Sequence, residues 1–340
     1  MSIKTTVANR TIFPSILTLL IVCTNSNLAF GDSSKPEISK AARVDQCVAT
    51  RVLSANADTT VSTLFAECNQ HVSAASDAVD TTTEERQVSE QSIARNRFTL
   101  LQHRPNYLLP VAYNFDAENT ELIGPDGEQR AIDPTEFKFQ ISFKTLLWQD
   151  LLDTRANLYA SYTNTSWWQA YNRDESSPFR ETNHQPELFV DIPSDFSYAG
   201  WELANVRLGL SHQSNGRSGE FSRTWNRAFA ELAFSNANNE IRIRPWSSLS
   251  NIKDNPDIEE FRGRFELAGT HQLGNHTLEW AGRHTLDNNN RGSIQLGWSF
   301  PVAGREDLQF FLQYFDGYGE SLIDYDVKSR RLGLGFKLGG

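Results

Sequence analysis

Between Tyr107 and its end the chain repeats one pattern: about ten residues of alternating apolar and polar side chains, then a segment rich in Gly, Asn, Asp or Pro. A period of two belongs to a pleated strand, whose successive side chains leave on opposite faces, and not to a helix with its 3.6-residue period. Phe137, Phe139, Ile141 and Phe143 alternate with Lys138, Gln140, Ser142 and Lys144. Leu332, Leu334, Phe336 and Leu338 alternate with Arg331, Gly333, Gly335 and Lys337, and Leu308, Phe310, Leu312 and Tyr314 with Gln309 and Gln313. Such runs begin near Tyr107, Phe137, Asn157, Glu187, Trp201, Thr224, Asn239, Glu260, Asn275, Ser293, Leu308 and Arg330, twelve in all. An even number is what a closed bacterial barrel requires. Ser235 to Asn239 reads as a short polar hairpin, while Asp174 to Gln185 and Ser247 to Pro256 read as long connections on the outward-facing side.

A soluble β-sandwich also alternates, but its polar face meets water. In this chain the polar rows carry charges of both signs on several runs, among them Arg242, Arg244, Arg262, Arg264, Glu266, Glu279 and Arg283. That pattern suits a salt-bridged barrel interior. Trp148, Trp167, Trp168, Trp201, Trp225, Trp246 and Trp298 fall near the ends of runs, as an aromatic girdle would. The overall hydropathy is that of a water-soluble chain, which does not oppose a barrel, because lipid-facing and lumen-facing residues average out.

The chain opens with a short basic region (Lys4, Arg10) and an apolar run from Ile12 to Val22, followed by the small residues of Ala29-Phe30-Gly31. This is a secretory signal over residues 1–31; the run is shorter than the roughly 18 residues of a spanning helix. Leu20-Ile21-Val22-Cys23 resembles a lipoprotein box only loosely, since Val22 stands where a small residue belongs. Residues 32–95 form an N-terminal periplasmic segment and linker. Val61, Leu64 and Phe65 are mildly helical in spacing, and Ser73 to Glu90 is too poor in apolar residues to build a core. Cys47 and Cys68 are expected to pair as a disulfide in an oxidising compartment. The net charge of −10 argues against nucleic acid as a partner. The fold expected is therefore all-β: a twelve-stranded antiparallel transmembrane β-barrel over residues 96–340 in the bacterial outer membrane, with a short N-terminal periplasmic appendage.

One stretch of the barrel breaks the hydrophobic pattern in a chemically suggestive way. In Val206 to Ser214 the apolar residues occupy even positions, so His212 and Ser214 continue the lipid-facing row. Their Cα atoms are about 7 Å apart on one face. The next run places Asn226 on the same row as Ala228, Ala230, Leu232 and Phe234. A serine hydroxyl needs a base to become a nucleophile, neutral imidazole is such a base, and a third group must orient it. Asparagine does so without an anion, which would be costly against lipid. Gly216 would let a backbone amide approach a reacting carbonyl as an oxyanion donor, and the Arg217 carbonyl with the Ser222 hydroxyl would suit a hard cation. Each of these features taken alone has a plain structural reading, since a His-x-Ser spacing is common in strands and Asn215-Gly216 is an ordinary turn dipeptide.

His212 to Ser218 followed by Ser222 to Arg227 resembles the active-site stretch of the outer membrane phospholipase A family. Ser166 to Gln169, Ser176 to Asn183, Asp254 to Asp257 and Gly317 to Tyr325 are similar to that family as well, and in the same order. The resemblance implies a calcium-dependent hydrolase of membrane phospholipid acyl esters, active as a homodimer. It implies Ser214 as nucleophile, His212 as base, Asn226 as orienter, Gly216 as oxyanion donor, and Arg217 and Ser222 as calcium ligands completed by Ser176 of the partner subunit. Asn164, on the even row of Leu158, Ala160 and Tyr162, matches a polar position at the dimer contact, where the family pattern is a longer amide. The chain also ends Leu338-Gly339-Gly340 without the terminal aromatic common in barrel assembly signals; Phe336 is the nearest substitute. The alternative is a non-catalytic outer-membrane barrel, a narrow channel or structural protein, whose outward polar residues only mediate contacts.

Overall fold

The computed structural model describes residues 99–340 apart from 121, 125–126, 250–253, 288–289, 304 and 340, together with residues 48, 62, 63 and 65–68. The chain divides into two compact units, Met1–Ala78 and Val79–Gly340. In the first, residues 62, 63 and 65–68 are helical, and Cys68 is buried and disulfide-bonded. Its expected partner Cys47, the expected signal segment 1–31 and the expected linker lie outside the described residues.

In the second unit, among the described residues, twelve long strands follow one another: β1 (Tyr107–Asn114), β2 (Thr135–Trp148), β3 (Asn157–Trp168), β4 (Phe179–Pro193), β5 (Trp201–Ser214), β6 (Thr224–Asn236), β7 (Asn239–Ser248), β8 (Phe265–Leu273), β9 (His276–His284), β10 (Gly292–Val302), β11 (Arg305–Tyr318) and β12 (Lys328–Leu338). Each pairs antiparallel with its neighbours in sequence, and β12 pairs back onto β1, so the sheet closes with no edge. The closure requires a register shift around Pro110, which has no N–H to give to the ladder. Connections at one end are as short as residues 237–238 and 274–275, whereas 215–223, 249–264 and 319–327 span the other. Short turns mark the periplasmic end of such a barrel and long loops the extracellular end.

The alternation read in the sequence divides outer wall from lumen. Leu334 and Phe336 are exposed on the wall, while Arg331 and Lys337, at odd positions of the same strand, are buried. Charges in the lumen are paired across it: Glu187 on β4 meets Arg244 on β7 at 2.5 Å, and Glu136 on β2 meets Arg180 on β4 at 2.7 Å and Arg331 on β12 at 2.8 Å. Buried ions of this kind are tolerated only as pairs, and removing one partner costs about 3–5 kcal/mol.

Three expectations require correction. Strand β4 begins at Phe179 rather than near Glu187, so most of Asp174 to Gln185 is strand and not loop. Its first half is polar on both faces, which hides the alternation: Glu181, Asn183 and Gln185 face the lumen, and a bulge opposite the Trp167/Trp168 step turns Arg180 inward as well. Glu260 opens no strand. Glu259–Arg262 form one helical turn ahead of β8, from which Arg262 is buried, while Arg264 is exposed and paired with Glu259 at 3.0 Å. Trp167, Trp225 and Trp246 are not part of a girdle, because all three are buried on the lumen side. Trp225 meets Trp246 edge-on at 6.3 Å, and the Arg227 guanidinium lies 4.1 Å from the Trp225 ring. Trp148 and Trp298 are exposed on the outer wall, as a girdle requires.

A candidate active site on the outer wall

Ser214 is the last residue of β5 and Thr224 the first of β6, so the segment that broke the hydrophobic pattern lies at the long-loop end. The β5–β6 register pairs Ser214 with Thr224, Gln213 with Trp225 and His212 with Asn226. His212 is exposed and Ser214 and Asn226 are half-buried, whereas Ser211, Gln213, Trp225 and Arg227 are buried on the lumen side. Parity thus puts the three polar side chains on the wall that faces lipid. His212 Nδ1 lies 2.8 Å from Asn226 Oδ1. An amide oxygen only accepts, so Nδ1 carries the proton and Nε2 is left as the basic nitrogen. The Ser214 hydroxyl, on the same face one step along β5, takes no hydrogen bond from a described side chain.

The lumen side holds these two strands in register. Trp225 Nε1 donates to Gln213 Oε1 at 2.9 Å, and Arg227 donates to Ser211 Oγ at 3.3 Å. Beyond Ser214, buried Asn215 staples the loop: its Oδ1 accepts from the amides of Arg217 and Arg223 at 3.3 and 3.0 Å, and its Nδ2 donates to the Phe221 carbonyl at 2.9 Å. Gly216 adopts φ +69°, a left-handed conformation that a residue with a side chain enters only with strain.

Of the residues expected to hold a cation, Arg217 and Ser222 share this loop. The Arg217 guanidinium is directed to the carbonyls of Ile123 and Arg180 and toward Glu181, and its own carbonyl accepts no hydrogen bond from a described residue. Ser222 Oγ donates to Asp254 Oδ2 at 2.7 Å, which brings a carboxylate from the β7–β8 connection to the rim of the site. Next to it, Asn255 Oδ1 accepts from the Thr224 amide at 2.9 Å. Asp257 accepts from the Tyr325 hydroxyl, and burial together with that bond holds the Tyr325 phenol above its ordinary range. Ser176 stands apart from this group, exposed in the β3–β4 connection with φ +61°. Among the described residues no cluster of three or more Asp, Glu, His or Cys forms a ready metal cage.

The polar group on the wall is wider than the sequence suggested. Asn164 does lie on the outward row of β3, and its Oδ1 accepts from Ser166 Oγ at 3.0 Å. Ser166 reaches Thr182 on β4 at 3.1 Å, and His184 on β4 is the direct cross-strand partner of Ser214. Thr182 and His184 were hidden within the stretch read as loop. The signal available was an unbroken parity, with Glu181, Asn183, Gln185 and Glu187 on one face, but no apolar row accompanied it.

Known proteins resemble the chain along most of its length. The family model of phospholipase A1 matches residues 83–338. Phospholipase A1 of Escherichia coli strain K12 is 39% identical over 243 residues, covering 72% of this chain and 82% of that protein. A putative phospholipase A1 of Neisseria meningitidis serogroup B is 33% identical over 249 residues, or 69% of this chain and 64% of that one. Among solved structures, outer membrane phospholipase A of Escherichia coli superposes with a TM-score of 0.67 at 39% identity, covering 71% of this chain and 99% of the other. A Salmonella typhi outer membrane phospholipase dimer with bound calcium gives the same score and identity over 72% and 93%.

Proposed function

The chain belongs to the phospholipase A1 family and is a multi-pass outer-membrane β-barrel enzyme, and on that premise we propose that it hydrolyses phospholipid acyl esters through Ser214, His212 and Asn226 on its lipid-facing wall. The observation that carries the reading is the 2.8 Å bond between Asn226 Oδ1 and His212 Nδ1, made on a face where hydrophobic matching would select neither residue. Ser214 Oγ attacks the ester carbonyl as His212 Nε2 takes its proton, and Asn226 holds the imidazole in the required tautomer and steadies the imidazolium. The Gly216 amide donates to the oxyanion. The same imidazolium returns the proton to the departing glycerol oxygen, leaving acyl-Ser214, which water attacks with His212 again as base. The wall position is suited to a substrate whose acyl chains already lie in the bilayer.

Calcium and pairing belong to the same proposal, in keeping with the calcium-bound dimer of the Salmonella relative. The oxygens gathered at the β5–β6 loop, namely the free Arg217 carbonyl, the Ser222 hydroxyl and the Asp254 carboxylate, are hard donors that fit calcium. Such an ion takes 6–8 oxygens, so the set needs water and a second chain, and Ser176 of the partner subunit is the proposed addition. Bound there, calcium supplies positive charge that favours an oxyanion at the ester.

Fatty-acid release from mixed phospholipid micelles tests the proposal, with calcium or chelator, on protein crosslinked as dimer or held as monomer. Release is expected from the calcium-loaded dimer and to collapse in the other three arms. Undiminished release by Ser214→Ala would sink the serine assignment.

A further inference from the structure

His184 is the direct cross-strand partner of Ser214 on β4, on the side of the nucleophile away from Asn226. Its ring edge lies against the β5–β6 loop: a Cβ built on Gly216 would stand 3.6 Å from both His184 Cδ2 and Nε2. The other edge of the ring is held by β3. Tyr162 Oη lies 2.6 Å from His184 Nδ1 and Asn164 Nδ2 lies 3.5 Å from the same nitrogen.

Those two contacts favour one tautomer. The Asn164 carboxamide is oriented by Ser166, whose hydroxyl donates to Oδ1, so Nδ2 faces His184, and Nδ2 can only donate. Nδ1 of His184 has one lone pair, which accepts the short bond from the Tyr162 hydroxyl while the Asn164 amide N–H lies at the limit of reach, and this arrangement leaves the ring N–H at Nε2. Nε2 donates to no described residue. The ring thus presents an unused N–H beside Gly216, on the strand that pairs His184 with Ser214. Such a donor against lipid is costly to leave unsatisfied, and substrate is what can satisfy it.

We propose that His184 is a second oxyanion donor, its Nε2–H stabilising the negative charge that develops on the ester carbonyl oxygen when Ser214 attacks. The inference rests on the reading of Ser214 and Gly216 above and extends it to a residue on a third strand. Tyr162 and Asn164 act through His184 as positioning residues: they fix the tautomer and orient the ring. No proton leaves His184 in the cycle, so His212 remains the sole base.

Replacing the donor while keeping a ring, in His184→Phe, is expected to lower kcat about 10- to 100-fold with KM changed less than about twofold, at or below the lower end of the loss of about 10²- to 10³-fold for one oxyanion donor because the site is open. His184→Gln, whose amide nitrogen can reach the place of Nε2, is expected to regain at least half of that loss on a logarithmic scale, which a merely space-filling role would not produce. An unchanged kcat in His184→Phe, a change confined to KM, or equal losses in the Phe and Gln variants overturns the proposal. Folding is followed by the heat-dependent shift of the barrel on denaturing gels. Should His184→Phe fail to fold, Tyr162→Phe carries the test, with a smaller fall in kcat of about 3- to 10-fold expected from partial loss of the tautomer lock and no fall overturning it. Ser214→Ala measured alongside separates the two levels: activity retained there removes the whole site reading, whereas a dead Ser214→Ala beside an unaffected His184→Phe removes only the role of His184.

Discussion

Two parts of the barrel wall, β3 to β6 and β10 to β12, obey the same alternation and face the same hydrocarbon, yet toward their loop ends they carry different chemistry. On β10 to β12 the outward row is charged only at the rim, where Asp316 lies opposite Ile294 and Arg330 and meets Lys328 at 3.3 Å, and below it is apolar but for the Tyr314 hydroxyl: Leu296 is exposed, and Leu332 precedes exposed Leu334. Farther toward the turns Phe300, Phe310 and Phe336 meet at tilted angles with successive centroids 5.4 Å apart. On β3 to β6, at comparable distance from the loops, the row reads Asn164, Ser166, Thr182, His184, His212, Ser214 and Asn226. Deeper along the same strands it returns to Leu188, Leu208, Leu210 and Ala230. Below the charged rim, uncharged polar residues of this kind gather on one wall, so membrane depth alone does not account for them. A structural role would not select them, because each unsatisfied polar group in hydrocarbon costs several kcal/mol. Such a departure from local consistency is where function is expected to reside.

The comparison can be broken most decisively at Ser214. Ser214→Ala should cut fatty-acid release by at least about 10³-fold while leaving a folded barrel, since a nucleophile removed from a coupled group takes most of the catalysis with it. The apolar wall should respond in stability alone. Leu334→Arg, near the middle of β12, is expected to lower the unfolding free energy in lipid vesicles by about 2–4 kcal/mol, read from urea unfolding, with kcat of the folded fraction unchanged. Asn226→Ala should lower kcat about 10- to 100-fold through misorientation of His212, part of the contribution of a general base. Equal kcat for variant and parent would separate the 2.8 Å Asn226–His212 bond from the chemistry. The smallest effect is the inverse one: His212→Leu should abolish activity yet raise stability by about 0.5–2 kcal/mol, because function is maintained there at a cost in packing against lipid. A destabilised His212→Leu barrel would mean that the polar patch supports the fold.

Much of this was legible in the residues. The strand number, the antiparallel barrel, and the shared outward face of His212, Ser214 and Asn226 follow from period two, which is a local property. Where the period was obscured, reading failed. Arg180 to Gln185 carries polar side chains on both faces because its lumen side joins a buried ion network, so β4 was entered eight residues late and His184 was missed. Trp167, Trp225 and Trp246 occur near strand ends like girdle residues, but their odd or even position relative to the lumen decides the matter, and lumen cations then favour the ring faces.

The sequence by itself determined which face each strand offers to lipid and which residues able to do ester chemistry lie on that face, because side-chain direction in a strand depends only on position along it. Register was decided only by the closed barrel. Pairing Asn226 with His212, and His184 with Ser214, requires three strands to settle against one another, and a slip of one residue between them would send half of the site into the lumen. Whether these side chains act together is thus a property of non-local pairing, fixed by twelve strands closing on one another and by the paired charges within.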